Sequence, residues 1–212
     1  MGRRAAVKTP AVPLRPYPPQ HLDRMQPAEG IGDWVQREIL AADGRIHNPD
    51  HKHLLDADLE FLWAPTSFAK QMRSVIGQAE EVAFRAGGWQ KERQEQQMRE
   101  WFGRIPSYLI TLSAEYCTSC SDAEFCALVE HELYHLAHKN DPFGAPAFTK
   151  EGLPKIGIQG HDVEEFIGVV RRYGIGDQGS SLAQMIRAAA KAPEVAPIRI
   201  AQACGICLLR AA

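Results

Sequence analysis

Apolar residues recur at three- and four-residue spacing at Phe125, Leu128, Val129, Leu133 and Leu136, which predicts an amphipathic helix with one buried stripe. Ser121-Asp122-Ala123-Glu124 reads as a capping box at its start, and Asn140-Asp141-Pro142 as its stop, so the helix is expected from about Asp122 to Lys139. Upstream, Ile31 to Ala42 reads as a short helix with Trp34, Val35, Ile39 and Leu40 inward. Leu59 to Trp63 and, more loosely, Ser74 to Phe84 are strand candidates, and Tyr108 to Leu112 is a strand just before the main helix. Between them Trp89 to Phe102 is polar throughout and reads as an exposed helix. Val163, Phe166, Ile167, Val170 and Tyr173 form the stripe of a further helix closing at Gly174, and the segment from Gly179 is helical with Leu182, Met185, Ile186 and Ala189 on one face. The first 29 residues carry Pro10, Pro13, Pro16, Pro18, Pro19 and Pro27 and predict an extended arm, either a disordered tail or a docking arm. The expected fold class is α+β, a small mixed sheet packed on the main helix with further helices, in a single domain over residues 30–212.

That helix carries His131-Glu132-Leu133-Tyr134-His135, an H-E-x-x-H string. Two histidines four apart share one helical face and can hold one zinc ion, with Glu132 beside them as general base for a metal-activated water. A catalytic zinc needs a third protein ligand, and the candidates are His138, His161, Asp162 and the pair Glu164/Glu165. On a continuous helix His138 lies about 10.5 Å along the axis from His131, too far for one ion that His135 also binds. His161 sits in Gly160-His161-Asp162-Val163-Glu164-Glu165-Phe166, at a helix start whose dipole favours the neutral, metal-binding imidazole. His161 is therefore assigned as third ligand and Glu164 as the second choice. The acidic residues of that first turn are also what dipole compensation selects, with Arg171-Arg172 at the other end. Asp162 or Glu164 could accept the free N–H of a ligand histidine. An oxyanion partner is expected from Tyr134, Tyr173 or Arg171.

Two further groups have competing readings. His47, His51 and His53 cluster around Pro49 but have no carboxylate forced near them, which favours a solvated loop over a metal site. Cys117-Thr118-Ser119-Cys120 and Cys204-Gly205-Ile206-Cys207 are C-x-x-C pairs that together could build a structural four-cysteine zinc site. Neither pair has the glycine-rich flanks of zinc knuckles, and Cys204 and Cys207 sit in an apolar run where cysteine packs. Cys126 reads as a buried core residue.

The run Ala127 to His135, the later Phe143-Gly144-Ala145-Pro146, and Gly160 to Phe166 followed by Arg171-Arg172-Tyr173-Gly174 resemble the phage metallopeptidases of bacteriophages and prophages, over roughly Asp50 to Leu209. More distantly, the helix pair is similar to SprT/Spartan-type zinc proteases, with a longer separation between His135 and the third histidine. The resemblance implies a zincin-like peptidase with His131, His135 and His161 as zinc ligands and Glu132 as base. In such proteases a sheet edge beside the active-site helix holds the peptide by strand addition, and by analogy Tyr108 to Leu112 or its neighbour would be that edge.

Composition narrows the setting. At 212 residues and 45% hydrophobic, the chain can bury a sizeable core. A formal charge of −2 offers no global attraction to nucleic acid, which weakens transfer of any DNA-linked role from the SprT likeness. No apolar run reaches transmembrane length, and the basic start leads into prolines rather than a signal-peptide core, so a cytoplasmic location in a bacterial host is expected. The expected partner is a peptide or protein substrate and the cofactor a single catalytic zinc. A catalytically silent zinc-fold binding or regulatory module is the alternative, with an amidase acting on cell-wall peptide as a third.

Overall fold

The computed structural model describes residues 12–70, 73–163, 175 and 177–196. A four-stranded mixed sheet forms its centre, from β1 (Gln26–Pro27), β2 (Leu59–Ala64), β5 (Gly77–Glu81) and β6 (Tyr108–Ser113) in the order β1-β2-β6-β5. β2 and β6 run parallel with Phe61 opposite Ile110 and Trp63 opposite Leu112, while β1 and β5 are antiparallel to their neighbours. Side chains alternate across a strand, so Phe61, Trp63, Ala79, Ile110 and Leu112 share one face, and all are buried. The loosely alternating segment after Ser74 divides into two strands. β3 (Phe68–Lys70) pairs with β4 (Arg73–Val75) as a separate hairpin before the chain enters β5.

Against the core face pack α1 (Ile31–Val35), which continues as a π-helical turn over Gln36–Leu40, and α4 (Asp122–Tyr134). Trp34 and Phe125 meet edge to face at 5.4 Å, joining these two elements in the core. α2 (Gly88–Phe102) buries no residue, as its polar sequence predicts. α3 (Ala114–Ser119), which hydrophobic spacing did not single out, is capped by Ser113 and leads into α4. α5 (Ser181–Ala189) forms where expected, but only Ala183 of it is buried and Met185 and Ile186 stay exposed, so its apolar face is not packed as a core element among the described residues. The helix expected from Val163 to Tyr173 lies outside the described residues.

The described part of the proline-rich arm is docked. Pro13, Arg15 and Pro18 are buried, and the Trp34 indole N–H donates to the Leu14 carbonyl at 2.9 Å.

The largest correction concerns the main helix. Its capping box is present as predicted, with the Ser121 hydroxyl accepting from the Glu124 amide and the Glu124 carboxylate accepting from the Ser121 amide. Its end is not at Lys139. α4 stops at Tyr134 with His135 as C-cap, and Leu136–His138 becomes strand β7, antiparallel to β8 (Ile156–Ile158). Gln159 terminates the helix by two bonds: its side-chain amide donates to the Tyr134 carbonyl at 2.8 Å and its backbone N–H to the His135 carbonyl at 2.9 Å. These satisfy carbonyls that a helix end leaves open. Local periodicity cannot register a competitor 24 residues away.

Candidate metal centre

His131 lies in the last turn of α4 and His135 caps it, so the helix fixes both imidazoles, while β8 and Gln159 deliver His161 from a separate segment. One ligand nitrogen from each of the three lies within 4.8 Å of the others. The Nε2 atoms of His131 and His161 are 3.1 Å apart, and the ring centroids are 4.9 to 5.1 Å apart in all three pairs. Two nitrogens bound to one tetrahedral zinc at about 2.0–2.1 Å would be roughly 3.3 Å apart. The donor set is therefore compact enough to close on a zinc-sized cation.

Protonation also favours a metal. Burial, then the neighbouring His135 and His161, holds His131 down at about 4, and burial lowers His135 against the opposing effect of the Gln159 carbonyl. Neutral imidazoles are the ligating form. The His135 Nδ1 lies 2.7 Å from the Gln159 carbonyl oxygen, so Nδ1–H donates there and Nε2 is the nitrogen that could ligate a metal. For His135 the orienting acceptor is thus a backbone carbonyl. Asp162, expected in that role, is exposed in the position after His161, and Glu164 lies outside the described residues.

Glu132 is fully buried. Burial pushes its carboxyl up to about 8, and only the Ala79 amide acts in the opposite direction. Neither carboxylate oxygen makes a hydrogen bond of good geometry with the described residues. Its position depends on β5. A Cβ at Gly77 would fall 2.5 Å from Glu132 Oε1 and 2.9 Å from Leu128 Cδ1, so any larger residue would force both side-chain ends to shift. Gly77 is a site residue that hydrophobic spacing missed, although a glycine in a strand often signals a close approach.

β5 is the sheet edge beside α4. The Ser113 amide donates to the Ile76 carbonyl and the Val82 amide to the Ser107 carbonyl, so the even-numbered residues between 76 and 82 bond to β6. Gly77, Ala79 and Glu81 consequently turn their backbone groups outward. β6, the first edge candidate, is central; its neighbour β5 is the edge.

Other candidates lie elsewhere. Tyr134 donates its hydroxyl to Asp50 at 3.0 Å and accepts from Asn48 at 2.9 Å, which commits it to structural bonds. His138 is in β7, not on the helix, with Nε2 2.8 Å from the Ala147 carbonyl. His51 and His53 do not form a solvated loop. They occupy a 3-10 turn over Pro49–Leu54, where His51 is buried edge-on to Tyr134 and His53 Nε2 is 2.6 Å from the Leu136 carbonyl. Cys126 is buried as expected, and Cys117 and Cys120 are close neighbours on and just after α3. Arg171, Tyr173, Cys204 and Cys207 lie outside the described residues.

A family model described as "Putative phage metallopeptidase" matches residues 32–190, well over half of the chain. No curated protein and no solved structure matches it. No described helix is long and apolar enough to cross a membrane.

Proposed function

This chain belongs to the phage metallopeptidase family, and from that premise we propose that it is a zincin-like, zinc-dependent peptidase with His131, His135 and His161 as ligands and Glu132 as general base. The observation that carries the reading is the convergence of three imidazole nitrogens within 4.8 Å, from two separate segments, next to a buried carboxylate that the fold makes room for. A zinc ion held there would supply Lewis-acid polarisation of water and of the scissile carbonyl. Glu132 is the group that would accept a proton from water at this site and pass it to the leaving amine. A divalent cation beside it favours the carboxylate, the form a base requires. By analogy with strand addition at a sheet edge, an extended peptide is held alongside β5, with the scissile bond over the histidines. Arg171 or Tyr173 is the proposed oxyanion partner, since the Tyr134 hydroxyl is already bonded to Asp50.

The test is elemental analysis of purified protein together with cleavage of a broad peptide library by wild type and Glu132→Gln. Both proteins should hold stoichiometric zinc, and the variant should lose at least about 100-fold in rate. Undiminished cleavage by Glu132→Gln would remove Glu132 as base. Zinc in both proteins with no cleavage by wild type would favour the silent binding module instead.

A further inference from the structure

At the other end of α4 from the histidines lies a second chemical site, about 16 Å along the helix axis. Arg15 of the docked arm is 7% exposed and inserts between α3 and α4. Its Nη1 donates to Cys120 Sγ at 2.7 Å and to the Ser121 carbonyl at 3.3 Å, and its Nη2 donates to the Cys120 carbonyl at 2.5 Å. Nε is 3.3 Å from Asp122 Oδ1, and the guanidinium lies over the rings of Tyr17 and Phe125. A buried cation needs anionic partners, and among the described residues Asp122 is the only carboxylate paired with it.

Cys120 is placed to be the second anion. It directly precedes Ser121, the N-cap of α4, where the amide dipoles favour negative charge. It is partly exposed, with its Sγ 3.9 Å from the Cys117 carbonyl oxygen, whereas Cys117, three residues earlier in α3, is fully buried. We propose that Cys117 and Cys120 are a redox-active dithiol, with Cys120 the attacking thiolate held by Arg15 and Cys117 the resolving thiol, oxidised by small-molecule disulfides. The direction of the thiol shifts agrees: the neighbouring Cys117 thiol, with Arg15 adding to it, lowers Cys120, and the neighbouring Cys120 together with burial raises Cys117.

The exchange balances in two steps. The Cys120 thiolate attacks one sulfur of the external disulfide, whose S–S bond breaks and releases one thiolate. Cys117 gives its proton to solvent and attacks Cys120 Sγ, expelling the second thiolate. The released thiolates take up protons according to the pH. The external disulfide gains two electrons, and the Cys117–Cys120 pair, starting with Cys120 as the thiolate, loses those two electrons and the one proton of Cys117.

The test uses the full chain and oxidised glutathione at neutral pH, followed by acid quench, alkylation and peptide mapping, which separates this pair from Cys204 and Cys207. Wild type should lose two hydrogens on the peptide carrying Cys117 and Cys120 and retain no glutathione. Cys117→Ser should stop with glutathione on Cys120, and Cys120→Ser should leave Cys117 reduced. Arg15→Met, with its fold checked by circular dichroism, should slow alkylation of Cys120 by about tenfold. Because the two cysteine variants keep Arg15, the proposal stays testable even where Arg15→Met fails to fold. Glutathione retained on wild-type Cys120 without closure would overturn the proposal, as would a folded Arg15→Met alkylating at the wild-type rate. A pair that resists alkylation until a chelator strips zinc would also overturn it, in favour of a structural metal.

Discussion

Gly77 lacks a side chain where the Glu132 carboxylate needs the space. Gly77→Ala should therefore displace Glu132 and Leu128, cost about 1–3 kcal/mol in denaturant-measured stability, and lower turnover while leaving metal content unchanged. A variant with normal turnover would show that the carboxylate is not held by this contact. His51 invites a different prediction. It is almost fully buried, and burial holds its folded-state pKa at about 4 against 6.5 for an ordinary histidine. Below pH 6.5 the unfolded chain binds a proton that the folded one refuses, so this contribution to stability is present above 6.5 and is lost as pH falls towards 4. The full loss is about 3 kcal/mol. His51→Phe should remove that part of the acid sensitivity, which pH-dependent urea unfolding of both proteins reads directly. An identical acid profile in the two would sink the assignment. At this scale the spacing of His131 and His135 and the glycine-bounded motif of His161 singled out the three histidines that the structure brings together. Gln159 had no such signal, because its three bonds to the end of α4 exist only once β8 is in place.

Elements show the same division. The start of α4 was legible because a capping box is a contact between neighbours in sequence. Its end was not legible, because the apolar spacing of Leu133 and Leu136 suits a helix as well as the β7 strand that forms. What decides it is the β7–β8 ladder, with Leu136 opposite Ile158 and His138 opposite Ile156. The ladder also carries His161 to the site, since Gln159 and His161 follow β8 directly. In this register the Gly157 amide bonds towards Ala137, so Gly157→Pro removes a ladder donor. We expect zinc affinity to fall about 10- to 100-fold, measured by competition with a chromophoric chelator, as for loss of a ligand-orienting partner. Unchanged affinity would mean that His161 is positioned independently of the ladder.

For the molecule as a whole, the histidine triad that could hold a metal joins two parts of the chain that no strand of the main sheet connects: the C-terminal end of α4 and the segment after β8. A metal that binds only the folded arrangement stabilises it by mass action. Chelation should therefore lower the thermal midpoint, and stoichiometric zinc should restore it. A midpoint indifferent to chelator would argue against a resident metal at these histidines. The described part of the proline-rich start belongs to this scale too, because residues 12–18 bury Pro13, Arg15 and Pro18. By itself the sequence determined what depends on near neighbours: the α+β class, the helix start, the central strands, and three histidines and a glutamate whose residue types and spacing suit zinc. Only the tertiary structure decided what depends on distant partners: where α4 ends, which strand is the edge, why residue 77 is glycine, and what Arg15 is buried against. Capping and periodicity act over one or two turns, whereas strand pairing and close approach join residues whose separation along the chain carries no pattern.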